Sequence, residues 1–225
     1  MRKIGLIVAV EQEVMKDYLG LGELLQDSFS TTIYRYPRCE VYAVRSGPGE
    51  IFAACATQHL IDAYGAEIIF NYGIVGGCSP FVYGNALRVV ESVVHYPYDI
   101  SSVDDVPPGR YLEYHSEFIA PYGESQRLAD QFFGNIKTTV CASGDKFIAD
   151  AITKVDLFKR YGAEICDMES AGIVITCNKN KVPCVLLKSV ADTANEGGPE
   201  YWEKKLESSR NCFGEMVRAI EAIGI

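Results

Sequence analysis

Cys166-Asp167-Met168-Glu169-Ser170-Ala171 follows a short apolar turn of chain and opens a helix-like run over 169–179. Glu169 is thereby placed at a strand-to-helix junction, where α/β proteins gather ligand-binding groups. Taken alone, the stretch reads better as an acid in the first turn of a helix, favoured by the macrodipole. Three other stretches give it company: Glu11-Gln12-Glu13 after the first apolar run, Ser143-Gly144-Asp145-Lys146-Phe147, and Ser189-Val190-Ala191-Asp192.

Outward from that junction, apolar β-branched runs at 3–10, 40–46, 67–73, 86–95, 136–142 and 183–190 predict strands. Helix-like stretches occupy 49–64, 123–132, 148–161, 169–179 and 200–223. The last is amphipathic, with Trp202, Leu206, Phe213, Met216, Val217 and Ile220 on one face. Near-continuous apolar strands alternating with helices predict an α/β fold, a three-layer αβα arrangement around a central mixed, twisted sheet. Segment 34–44 reads as a hairpin turning at Pro37-Arg38. Segment 96–122 breaks the rhythm with four prolines and five tyrosines, and reads as a long functional or interface loop. No repeat or linker interrupts the 225 residues, so they are read as one domain, 1–225.

The composition excludes several classes. A net charge of −9 and a pI near 4.9 argue against nucleic-acid binding, and no basic tract opposes this. The eight cysteines contain no Cys-x-x-Cys pair, so zinc and redox motifs lack support. Their placement in apolar runs suits a reducing cytoplasm better than a disulfide scaffold. Residues 1–10 read as a buried first strand rather than a leader, because the apolar run is short and ends in acids. No segment is long enough to span a membrane. His59, His95 and His115 lack metal-ligand spacing, and no metal or cofactor is expected. His59 reads as structural, whereas His95 and His115 flank the irregular loop as candidate substrate contacts.

The chemistry-bearing positions each carry two readings. Glu13 lies where the chain leaves the first strand, as a general base or as a helix-start charge. Asp192 ends an apolar strand, as an acid catalyst or as a helix cap. Phe147 suits stacking on a planar ring or a place in the core. Ser46-Gly47-Pro48-Gly49 and Asn71-Tyr72-Gly73-Ile74-Val75-Gly76-Gly77 read as glycine loops after strands, either tight turns or cradles for a ribose or phosphate. Neither matches the dinucleotide or phosphate-loop fingerprints.

In order, these motifs resemble the nucleoside phosphorylase/nucleosidase superfamily over nearly the whole chain, and most closely its 5′-methylthioadenosine/S-adenosylhomocysteine nucleosidases. Ile4-Gly5-Leu6-Ile7 through Glu13 is similar to the opening strand and catalytic glutamate. Ser46-Gly47-Pro48-Gly49 is similar to the Ser-Gly-x-Gly turn, and Gly73 to Gly77 to the Gly-x-x-Gly-Gly loop. Ser143-Gly144-Asp145, Met168-Glu169 and Asp192 follow in the same sequence order. The resemblance implies hydrolysis of a purine nucleoside's N-glycosidic bond, releasing adenine from 5′-methylthioadenosine or S-adenosylhomocysteine. Cleavage builds positive charge on the ribose, which suits nearby carboxylates and a water. Asp192 would protonate or hydrogen-bond purine N7, and Glu13 would activate the water. Glu169 would hold the ribose hydroxyls and Met168 its face. Phe147 would stack on the base, and the Ile148 backbone would read its edge. Ser46, Gly47, Gly76 and Lys188 complete the implied substrate contacts.

The chain departs from that pattern at several positions. Ile74 stands where a serine is usual and Lys188 where an arginine is usual. Val10 and Pro48 replace larger apolar residues around the 5′ substituent. In the loop, Val103 stands where a phenylalanine would cover a methylthio group, so a different 5′ group stays open. Phosphorolysis is the nearest alternative. Asn71 stands where purine phosphorylases have an arginine, and Glu13 would repel a phosphate dianion. A non-catalytic nucleoside-binding protein is the further alternative, though it has no use for both Glu13 and Asp192. The tyrosine-rich loop and the resemblance together imply a cytoplasmic homodimer whose loop closes the neighbour's 5′ pocket.

Overall fold

The computed structural model describes residues 1–10, 22–193 and 198–224. Four strands lie at its centre, β1 (Arg2–Val8), β4 (Cys39–Arg45), β5 (Ile68–Gly77) and β9 (Cys184–Asp192). β1 pairs in parallel with β4 and β5, and β5 pairs in parallel with β9. Every residue of β9 is buried, as expected of a strand covered on both faces.

The alternation of side chains sorts these strands into two cores. On one face Ile7, Ile69 and Leu186 meet α1 (Glu50–Tyr64) and α4 (Ser170–Asn180) through Ala53, Leu60, Ile173 and Val174. On the other, Leu6, Phe70 and Leu187 meet α2 (Ser125–Phe133) and α5 (Gly198–Gly224). Phe213, Met216, Val217 and Ile220 form the α5 stripe as the periodicity predicts. The side chains of Trp202 and Leu206 lie outside the described residues. Helices thus cover both faces of a mixed sheet, and the three-layer expectation holds.

The expected hairpin is β3 (Thr32–Arg35) with β4, antiparallel, Arg35 opposite Glu40. A two-residue strand, β2 (Glu23–Leu24), extends that edge. The glycine-rich run after Tyr72 is not a loop. β5 continues through it to Gly77, with Gly73 opposite Lys188 and Ile74 opposite Ser189, then a register shift that sets Gly76 opposite Asp192. Gly76 and Gly77 also pair antiparallel with β8 (Ile165–Asp167). A Cβ on Gly76 would lie 3.1 Å from Cys166 Sγ and 3.3 Å from Asp192 Oδ1. The glycines are there to let two strands close on β5, which the loop reading did not anticipate.

The remaining strands complete a ring. β8 pairs in parallel with β7 (Thr138–Ser143), β7 in parallel with β6 (Leu87–His95), and β6 antiparallel with β9. Since β9 and β8 both pair with β5, five strands close on themselves. Segment 96–122 contains only an isolated bridge, Val93 to Ile119, and is the long loop that was expected. Its aromatic residues stack, Tyr98 on Tyr111 at 3.8 Å between centroids. His95 ties it down, with Nδ1 2.6 Å from the Tyr111 hydroxyl and Nε2 2.8 Å from Glu50 Oε2. That contact anchors the loop and gives His95 a structural partner. His115 is exposed, and His59 sits 2.7 Å from Asp27. Among the described residues no helix is long and apolar enough to cross a membrane.

Candidate active site

The turn from β8 into α4 is organised by Asp167. Its Oδ1 accepts from the Ser143 hydroxyl (2.7 Å) and the Ser170 N–H (3.2 Å), and its Oδ2 from the Ser170 hydroxyl. Lys188 Nζ lies 2.8 Å from Oδ2, with both side chains 2% exposed. Burial pushes the Asp167 carboxyl up, but the Lys188 charge and hydrogen bonds from Lys188, Ser170 and Ser143 hold it below its ordinary value. Burial likewise opposes the Lys188 ammonium, and Asp167 outweighs it, raising that group. Asp167 therefore caps the helix.

Glu169 is left for other work. It occupies the N-cap position of α4 but makes no capping hydrogen bond. Its Oε1 accepts instead from the Gly49 N–H at 3.0 Å. Gly49 has φ 110°, a conformation that favours glycine. A Cβ there would also lie 3.0 Å from Asp145 Oδ1, which accepts the Glu50 N–H at 2.7 Å. One glycine thus joins the Ser-Gly-Pro-Gly turn to both acidic motifs. On the near side of that turn, the Ser46 N–H donates to Val8 O (2.9 Å) and the Gly47 N–H to Ala9 O (3.1 Å). These bonds pin the exit of β1, which leads toward Glu13. Glu13 itself lies outside the described residues.

Asp192 ends β9 and is 1% exposed. Its Oδ2 is in contact with Nζ of Lys154, a lysine on α3 (Ala151–Tyr161) that is 0% exposed. Lys154 Nζ also donates to Thr193 O at 3.1 Å. Gly76, Phe147, Ile148, Met168 and Asp192 line one recess of about 30 Å³, together with Lys146, Cys166 and Asp167. Phe147 is half-exposed and Ile148 buried. A larger hollow of about 490 Å³ opens beside Val8, Ser46, Phe52 and Tyr72, and contains none of the recess residues. Its size does not mark it as the centre of the chemistry. The buried acids Asp167 and Asp192 line the smaller recess, and buried charge rather than volume is the functional signal.

The fold gathers Gly76, Phe147, Ile148, Met168 and Asp192 into one recess, with Glu169 next in the chain and Ser46 and Gly47 across the Gly49 bond. Lys188 is positioned differently from expectation. It is buried on Asp167 and does not line the recess. Its charge is favoured by Asp167 and, more weakly, by Glu169. Val103, 78% exposed, is not brought to the recess within one chain. Val10 is half-buried and Pro48 exposed. Asn71 is 2% exposed and donates its amide to Ile7 O at 3.0 Å, so that position supports β1 and offers nothing to an anion. Among the described residues, no three of His, Cys, Asp and Glu are grouped as a metal ion would need.

Sequence reasoning missed Lys154, Asp167 and Glu50. For Lys154 a signal existed. It shares the buried face of α3 with Leu157 and Tyr161, at i, i+3 and i+7. A lysine on an apolar stripe needs a buried partner.

Comparison with known proteins identifies the family. Residues 3–222 match the family model described as Phosphorylase superfamily. An aminodeoxyfutalosine nucleosidase of Helicobacter pylori is 25% identical, over 98% of both chains. A 5′-methylthioadenosine/S-adenosylhomocysteine nucleosidase of Shewanella halifaxensis is 27% identical, over 97% of this chain and 98% of that one. The structure of a Helicobacter pylori 5′-methylthioadenosine/S-adenosylhomocysteine nucleosidase with a pyrrolidine ligand superposes with a TM-score of 0.89 at 25% identity, covering 98% of each chain. With the five-strand closure and the recess at β5, β8 and β9, these matches establish that the chain belongs to the phosphorylase superfamily.

Proposed function

We propose that this chain hydrolyses the N-glycosidic bond of a purine nucleoside, releasing the free base. The observation that carries the reading is the convergence of Asp192, Phe147, Ile148, Met168 and Gly76 on one recess, with Glu169 held beside it by Gly49. The purine lies between Phe147 and Asp192, and the ribose lies against Met168 with its hydroxyls on Glu169. Asp192 donates to purine N7 as the C1′–N9 bond breaks, so the base leaves as a neutral molecule. Glu13 takes the proton of the water that attacks C1′.

The relatives' names point to 5′-methylthioadenosine, S-adenosylhomocysteine and aminodeoxyfutalosine as substrates to test first. Val10 and Pro48 are small for a 5′ pocket, which favours a 5′ group bulkier than methylthio. The exposed Val103, Leu112 and Tyr122 of the long loop suit a homodimer in which Val103 reaches the partner's 5′ end. The enzyme works in the cytoplasm, in salvage of the thioribose and base.

Base release from each of these nucleosides, and from adenosine and inosine, is the decisive assay, run with and without phosphate. Release independent of phosphate, lost in Asp192→Asn, is expected. Strict phosphate dependence would mean phosphorolysis, and no release from any would favour a binding protein.

A further inference from the structure

The acid expected to donate to the base is already in contact with a cation. Asp192 Oδ2 meets Lys154 Nζ, and the two side chains are 1% and 0% exposed. The other oxygen, Oδ1, is the one turned to Gly76 and the recess. Among the described residues, the other groups around this carboxylate come from β5, β8 and the recess lining. β5 contributes Gly76 and Gly77. β8 contributes the Cys166 thiol, raised well above its ordinary range by its hydrogen bond with Cys78 and by burial, and so neutral. Lys146 and Asp167 line the recess, and Asp167 is matched by Lys188.

We propose that Lys154 is a positioning residue for base release. Its ammonium stabilises the carboxylate left on Asp192 once the proton has gone to the base. The step is balanced. The Asp192 O–H bond breaks and an N7–H bond forms, while the C1′–N9 electron pair passes to the purine. The new carboxylate completes the ion pair with Lys154. This inference rests on the reading of Asp192 as the acid. Two consequences follow from the geometry. Asp192 is a stronger acid than an isolated buried carboxyl, and it is protonated only at lower pH. Lys154 therefore exchanges breadth of pH range for driving force.

The test compares wild type with Lys154→Met, Lys154→Gln and Asp192→Asn. Gln retains a donor for Oδ2 without the charge, and carries the test if the Met variant fails to fold. Infrared titration reads the protonated carboxyl band that disappears in Asp192→Asn, and needs no substrate. In both lysine variants that band should persist to a pH higher by at least about one unit, the effect of losing an adjacent opposite charge. The pH profile of adenine release from 5′-methylthioadenosine should move the same way, while its limiting rate at low pH falls. A lysine that only pairs with Asp192, without aiding proton transfer, would move the infrared transition but leave the limiting rate at low pH unchanged, and that result would overturn the inference. Unmoved transitions with an inactive Asp192→Asn would overturn this inference alone. Full turnover by Asp192→Asn would overturn the acid role of Asp192 and this inference with it.

Discussion

Replacing Lys188 by Met isolates the charge that anchors the site's central turn. Methionine is flexible and close to lysine in length, so it fills the space and leaves little cavity. What remains is Asp167, buried and without the cation that lay 2.8 Å from its Oδ2. Breaking one side of a buried ion pair costs about 3–5 kcal/mol, against a typical folding stability of about 5–15 kcal/mol. The loss should depend on pH. In the wild type Asp167 is held low and Lys188 high. The low carboxyl contributes stability above its unfolded value of about 3.9 and loses it as pH falls through the native one. The raised lysine contributes below about 10.4 and loses it as pH rises through its native value. Between about pH 5 and 9 the pair's contribution is therefore constant. In the variant, burial without a cation pushes Asp167 up, so the folded chain holds a proton that the unfolded chain has released. Stability then falls with rising pH by up to about 1.4 kcal/mol per unit. Urea unfolding at pH 5 and pH 8 measures the gap from wild type, expected to widen to about 3–5 kcal/mol at pH 8. A gap below about 1 kcal/mol, or one equal at both pH values, would refute the reasoning.

Two further outcomes test the junction. Gly49→Ala places a Cβ at φ 110° and 3.0 Å from Asp145 Oδ1, and should lower stability by about 1–3 kcal/mol. A melting temperature unchanged from wild type would contradict it. Glu169→Ala removes a charged partner for the ribose, for which about 1.5–3 kcal/mol is usual, so kcat/KM for base release should drop about 10–150-fold. Values within threefold of wild type would remove Glu169 from the ribose site.

Asp192, Phe147, Met168 and Glu169 were identifiable in the sequence because each sits beside a strand end that local patterning marks. The glycine run at 73–77 misled for a physical reason. Glycine signals close approach, but the same absence of a side chain serves a loop near a ligand or a strand crowded by two others. Only the antiparallel β8, three residues long and too short for any periodicity, shows which applies. The expected role of Lys188 shifted for a related reason, since local sequence cannot say which of two buried acids lies across the sheet from it.

By itself the sequence determined the layered α/β architecture, through alternation and period along each element, and the order of its acidic motifs. The tertiary structure alone decided which cation meets which acid. Lys154 and Asp192 are thirty-eight residues apart, and Lys188 and Asp167 come from different strands. A charge can stay in the interior only where the fold delivers its partner. Those pairings, more than the identities of the acids, determine how each carboxylate can act.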